Sequence, residues 1–265
     1  MIEILQYEFM RNAIAAGVLA SVAAGIIGTY VVSKRMVFIS GGISHAAFGG
    51  IGIGYFLGVN PILAAAVFGV VFALLIGKIT RRTNERTDTA IGIMWSLGMA
   101  IGIVFVYMTP GYAPNLMSYL FGSILTVTLD DLFLMAALDL VIVLGVILLY
   151  NDFFAVSFDE EFATVRGVPV ERVNMILLAL IALTVVILIK IVGIILVIAM
   201  LSIPAAISGR FSSSLKGMMA VSTVVSSVFM GLGLLVSYAY DLPSGATIIL
   251  VAAFGYLVFG AFFGK

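Results

Sequence analysis

From its N-terminus the chain runs as long apolar stretches cut by short polar ones. A helix needs about 20 apolar residues to cross the hydrocarbon of a bilayer. Nine stretches are candidates: 12–33, 40–59, 61–78, 88–109, 129–150, 170–190, 193–209, 215–239 and 244–263. Apolar residues fill them without alternation, which argues against a β-barrel. The pattern predicts an all-α polytopic membrane protein of about eight or nine transmembrane helices. Several stretches are short and 40–59 is rich in glycine, so the alternative is eight full spans plus a helix broken within 36–59.

Four polar breaks are informative. KITRRTNERTD (78–88) is a turn that places Asp88 to cap the next helix. MTPGYAPNLMSYLFGSILTVTLDD (108–131) carries Pro110, Gly111 and Pro114, which end a helix. Asp241 begins a tight turn, DLPSG. The longest break is NDFFAVSFDEEFATVRGVPVER (151–172). In it Ser157 can cap a short helix over about 157–168, with Asp159, Glu160 and Glu161 in the first turn, where acids suit the helix dipole. Gly167 and Pro169 stop it. Such a helix is either a connection between two spans or a docking knob for a cytoplasmic partner.

Composition supports lipid as the solvent. The chain is 63% hydrophobic and 10% charged, with a mean hydropathy of +1.27. A soluble domain of this size could not hide so much apolar surface. Thirteen basic residues balance thirteen acidic ones, which excludes the basic face that nucleic acid demands. With no cysteine, disulfides and thiolate metal sites are excluded. The first apolar stretch has neither a basic leader nor a small-residue cleavage site, and reads as a span. No G-x-x-x-x-G-K-[ST] occurs, so ATP is not bound by a P-loop here, and no Ser-His-Asp set surrounds the single histidine.

The basic residues predict orientation. Lys34, Arg35, Lys78, Arg81, Arg82, Arg86, Arg166, Arg172, Arg210, Lys216 and Lys265 fall on one side of the nine-span arrangement, Arg11 and Lys190 on the other. Lys and Arg collect in cytoplasmic loops, so the N-terminus is expected outside and the C-terminus inside.

Candidate chemistry centres on GGISHAAFGG (41–50), which holds His45, the only histidine. On a helix, Gly42, Ala46, Gly50, Gly54 and Gly58 form a small-residue row of the kind that lets helices approach closely in lipid. Gly41, Gly49 and Gly52 lie on His45's own stripe and clear the space beside it. The imidazole either tightens packing through a hydrogen bond or lines a path, as intramembrane ionisable groups often do. A neutral imidazole can also ligate a borderline cation, but one histidine is not a metal site. Asp139, in mid-span, either pairs with Lys190 or lines a cavity. Asp241 either attracts cations at the external mouth or only bonds its own turn. Ser222, Thr223, Ser226 and Ser227 are packing residues, and Pro204 is expected to kink the seventh segment.

Six segments in order resemble the membrane permease subunit of the ABC-3 family of prokaryotic metal importers: RMVFISGGISHAAFGG (35–50), TDTAIGIMWSLG (87–98), SYLFGSILTVTLDDL (118–132), SFDEEFATVRGV (157–168), VGIILVIAMLSIPAAISGRF (192–211) and YDLPSGATIILV (240–251). The resemblance implies a fold related to the type II ABC importer permeases and a prokaryotic plasma-membrane location. It implies a second permease copy, two cytoplasmic ATPase subunits and an extracytoplasmic metal-binding protein. It further implies no permanent cofactor, ATP used only through the partners, and no enzymatic site in this chain. SFDEEFATVRG would be the coupling helix, with Ala163 and Gly167 at the family's small positions, and the path would run near His45. Many members carry an aspartate four residues before that histidine, where this chain has Gly41. YLFGSILTVT and YDLPSGATII are closer to the zinc branch, so Zn²⁺ is the first expected cargo and Mn²⁺ or Fe²⁺ the alternative. A cobalamin or siderophore permease would have an extra span and lack the histidine segment. A gradient-driven carrier would need no coupling helix and often shows inverted repeats, which are not evident here. A purely structural role leaves His45 and Asp139 without a purpose.

Overall fold

The computed structural model describes residues 6–82, 87–111 and 116–263. Arg86, Pro114 and Lys265 lie outside them. The helices are α1 (Glu8–Ser33), α2 (Val37–Leu57), α3 (Pro61–Arg82), α4 (Thr87–Met108), α5 (Leu116–Phe121), α6 (Leu129–Leu148), α7 (Tyr150–Phe158), α8 (Glu160–Val165), α9 (Val170–Val192), α10 (Val197–Ser208), α11 (Leu215–Tyr240) and α12 (Ser244–Phe263), with a 3₁₀ turn at Ile124–Thr126. Eight of these are long and apolar enough to cross a membrane: α1 to α4, α6, α9, α11 and α12.

Small residues decide which helices sit inside. The face of α1 that carries Ala13, Ala16, Ala20, Ala23 and Ala24 is buried, and it packs on α11 and α10. A side chain on Gly25 would strike the main chain of Thr223, and one on Gly28 the carbonyl of Leu201. Together α1, α2 and α9 form the centre of the bundle, while α4, α6 and α12 expose most of their length. Four buried hydroxyls are satisfied locally: Ser21, Thr29, Thr184 and Ser208 each donate to the carbonyl four residues back.

The glycine-rich stretch is an unbroken helix. Its glycines serve contact: α3 lies against Gly50 and Gly54, and α4 against Gly42 and Gly52. The interrupted segment is the seventh apolar one instead. There the chain turns at Gly193, φ +82°, leaving α10 only 12 residues long. Pro204 sits inside α10, downstream of that interruption.

Opposite the interruption, residues 119–127 fold back into the bundle. Main-chain N–H groups of Ile194 and Ile195 donate to the carbonyls of Tyr119 and Leu120, and Ser123 N–H donates to that of Lys190. Asn12 of α1 reaches the carbonyl of Val127 at 3.3 Å. Non-helical backbone is tolerated in such a protein only where the protein itself satisfies its polar groups, and these bonds do so. The next helix opens with a capping box: Thr128 Oγ1 accepts from Asp131 N–H, and Asp131 accepts from Thr128 N–H.

Candidate functional site

Two regions hold the predicted residues. The first surrounds His45, on the buried face of α2 and 8% exposed. Its ring stacks on Trp95 of α4, the chain's only tryptophan, with centroids 3.9 Å apart and planes 17° from parallel. Space cleared on the glycine stripe is thus taken by neighbours. Gly41 faces Ile198 of α10, Gly49 the Phe68 ring of α3 and Gly52 the main chain at Gly102 of α4. Ser44, the residue before His45, donates to the carbonyl of Ile194 at 2.8 Å, tying α2 to the interruption before α10. His45 Nδ1 is buried without a hydrogen-bond partner among the described residues.

The other acidic candidates lie apart from His45. Asp139 is 6% exposed on the inner face of α6, and neither carboxylate oxygen has a partner among the described residues. An unpaired carboxylate there is costly as an anion. Its expected partner, Lys190, is instead 3.0 Å from Asp131, in the first turn of α6. The nearer acid to the loop captured the lysine because Ser123 and Thr128 bring that turn onto the end of α9. α6 packs on α1 and α9, whereas α2 packs chiefly on α4 and α3, so His45 and Asp139 sit on helices that are not close neighbours. Asp241 is exposed at the C-cap of α11, φ +52°, as a turn residue. No group of three His, Asp or Glu side chains that could hold a metal occurs among the described residues.

The second region is the connection after α6. The predicted short helix is two helices, α7 and α8, and the cap is Asp159 rather than Ser157. Asp159 Oδ1 accepts from Phe162 N–H at 2.9 Å. Ser157 lies in the last turn of α7, its hydroxyl buried and unpartnered among the described residues. Gly167 ends α8 at φ +81°, with its N–H bonded to the carbonyl of Thr164 and that of Val168 to Ala163. That pair of bonds is a Schellman motif, and its left-handed position favours glycine.

The clamp on α8 is electrostatic. Glu160 Oε1 accepts from Lys34 Nζ and from Asn174 Nδ2, each at 3.0 Å, and Lys34 also donates to the carbonyl of Val156 at 2.9 Å. Glu160 therefore joins the α1–α2 turn, α8 and α9. Ala163 is fully buried beneath α8. The outward side carries Glu161, Phe162, 55% exposed, and Val165, 87% exposed, with Phe158 beside them. Phe162 and Val165, three residues apart on α8, share one face, a spacing visible in the sequence; Phe158 ends α7 beside them. The Lys34 and Asn174 contacts were not visible there, because they join distant parts of the chain. Trp95 carried no local signal for stacking.

Comparison with known proteins covers almost the whole chain. The model of the ABC 3 transport family matches residues 6–263. A Synechocystis membrane protein described as uncharacterized is 53% identical over 262 residues, spanning 99% of this chain and 93% of its own. The manganese transport system membrane protein MntC of Halalkalibacterium halodurans is 32% identical over 251 residues, 95% of this chain and 86% of its own. The solved structure of PsaBC from Streptococcus pneumoniae in complex with Fab superimposes with a TM-score of 0.89 at 32% identity, covering 98% of this chain and 94% of that one.

Proposed function

The chain belongs to the ABC 3 transport family, and from that premise we propose that it is the membrane permease subunit of an ATP-driven importer of divalent metal ions. Residues 1–265 would then form one permease domain. The observation that carries the reading is α8: a short helix clamped by Lys34 and Asn174 that presents Phe162 and Val165 outward. A carrier driven by an ion gradient has no use for a rigid apolar knob on its cytoplasmic side. A permease moved by a separate ATPase needs one. Phe158, Phe162 and Val165, with Glu161 at their rim, supply the contact. Asp159, Glu160, Ala163 and Gly167 keep its shape.

The basic turns put α8 in the cytoplasm, which leaves the N-terminus outside and the C-terminus inside a prokaryotic plasma membrane. The partners are two ATPase subunits, which alone bind ATP, an extracytoplasmic metal-binding protein and a second copy of this chain. The second copy meets this one along α4, whose outward face carries Gly92, Ser96 and Ala100. Small residues at that spacing permit close helix approach in lipid. His45 lies one helix behind this face, and the path runs past it. Further donors come from the second copy or from main-chain carbonyls. Manganese is the leading cargo, by similarity to the Halalkalibacterium protein. Zinc is the second reading, on the segments that lean to that branch.

The test is uptake by vesicles holding the complete complex, with ATP on the ATPase side and Mn²⁺, Zn²⁺ and Fe²⁺ alone and in competition. ATP-dependent uptake, strongest for Mn²⁺, is expected; uptake of none of the three refutes the importer. His45→Gln keeps hydrogen bonding but is a poorer ligand. It should assemble with the ATPase yet lose most uptake at limiting metal. Parent-like uptake would leave His45 as the packing partner of Trp95.

A further inference from the structure

A groove of about 700 Å³ opens on the outer surface between α1, the α6–α7 junction and α11. Most of its wall is apolar, including Val22 and Ile26 of α1, Val143 and Val146 of α6 and Met219 of α11. One end is polar: Tyr150 and Asn151 at the start of α7, and Lys216 at the start of α11. From Lys216 to Thr223 the wall runs about 10 Å along α11. Lys216 Nζ lies 4.6 Å from the centroid of the Tyr150 ring. No carboxylate is within ion-pair distance of it among the described residues. The basic turns assign this end to the cytoplasmic face, and Lys216, second residue of α11, stands where a span emerges from lipid.

We propose that this groove holds one anionic phospholipid of the inner leaflet, an acyl chain along the apolar wall and the phosphate at Lys216 and Asn151. The charge is complementary: an exposed ammonium without a carboxylate, steered by an aromatic ring to the mouth of an apolar trough. Basic pockets between transmembrane helices on the cytoplasmic side are suited to anionic headgroups. A free cytosolic anion would satisfy the lysine and leave the trough empty. A second copy of this chain fits poorly. The outward residues of α6 beside the groove, Leu140, Val141, Leu144 and Ile147, are all large and lack the small-residue spacing that close helix contact in lipid uses. The position adds a consequence. Tyr150 begins α7, which leads directly into α8, so the lipid braces the root of the ATPase-facing knob.

The complete complex, purified in mild detergent after incorporation into vesicles of phosphatidylcholine and phosphatidylglycerol, is analysed for retained lipid by native mass spectrometry. Phosphatidylglycerol should be retained in preference to phosphatidylcholine. Lys216→Gln should lower its retention about fivefold, the effect of one surface cation. Ala220→Phe, which fills the trough, should displace the lipid while Lys216 remains. Both variants should assemble with the ATPase. Equal retention of the two lipids, or parent-like retention by both variants, overturns the proposal. So does a disulfide between two permeases carrying Ile147→Cys, which would make the groove an interface between copies. The chain has no cysteine of its own to confuse that result.

Discussion

Gly50→Ala tests whether α2 is held by direct main-chain contact. A Cβ built on Gly50 would lie 2.6 Å from the Ala64 carbonyl oxygen, 2.6 Å from Ala65 Cα and 2.7 Å from Phe68 Cβ. The first two are main-chain atoms and cannot rotate aside. Optimal carbon contacts are roughly 3.5–4.0 Å, so one methyl asks α3 to retreat by about 1 Å. Overpacking of this kind costs about 1–3 kcal/mol, and alanine returns up to about 1 kcal/mol of helix propensity. A net loss of about 1–2 kcal/mol remains, a factor of roughly 5–30 in the folded-to-unfolded ratio. The control is Gly231→Ala on α11, where an added Cβ meets nothing within 4 Å and stability should hold or rise. Unfolding of the purified permease by SDS titration in mild detergent, followed by the fluorescence of Trp95, reads both. Equal midpoints for Gly50→Ala and Gly231→Ala would refute the contact.

Two further outcomes follow from the same reasoning. Asp131→Asn removes the counter-charge of Lys190 from a pair whose side chains are 11% and 19% exposed; it should cost a few kcal/mol and speed hydrogen exchange of the amides over 119–127, and unchanged exchange would show that the ion pair does not hold that segment. Phe162→Ala should leave insertion and α8 intact but weaken capture of the ATPase in a pull-down, and full capture would reduce α8 to a connection between spans.

Much of this was legible because lipid imposes its own arithmetic. Eight of the nine apolar stretches coincide with membrane-length helices to within a few residues, since a span must be long and its polar breaks must fall in water. The sequence leaves open a break within 36–59, and the interruption lies in 193–209 instead for a physical reason. Glycine at 40–59 suggested a weak helix, yet within a bundle its missing side chain is used for approach: Gly50 lets α3 close on α2, and Gly52 lets α4 do so. Nothing in 193–209 itself announces a short helix, because the cause is the distant loop that meets Gly193. Likewise the sequence offered Asp139 as a partner of Lys190, and only the fold of the loop hands that lysine to Asp131. At the candidate site, the acids of SFDEEFATVRG were readable as a capped helix. That Glu160 is an anchor and Phe162 the outward face needed the position of Lys34.

The pairing of residues 119–123 with 190–195 also sets an order of assembly. The amides of Ser123, Ile194 and Ile195 find their carbonyls only across that seam. During synthesis the first half leaves the ribosome before α6, α7, α8 and most of α9 exist. Its exposed peptide groups cannot rest in hydrocarbon while they wait, so the segment stays at the aqueous surface or in the insertion machinery until α9 arrives. The loop then enters last, although it comes before the middle of the chain. A permease truncated before Lys190 would keep its early helices and leave this segment unseated and open to proteases.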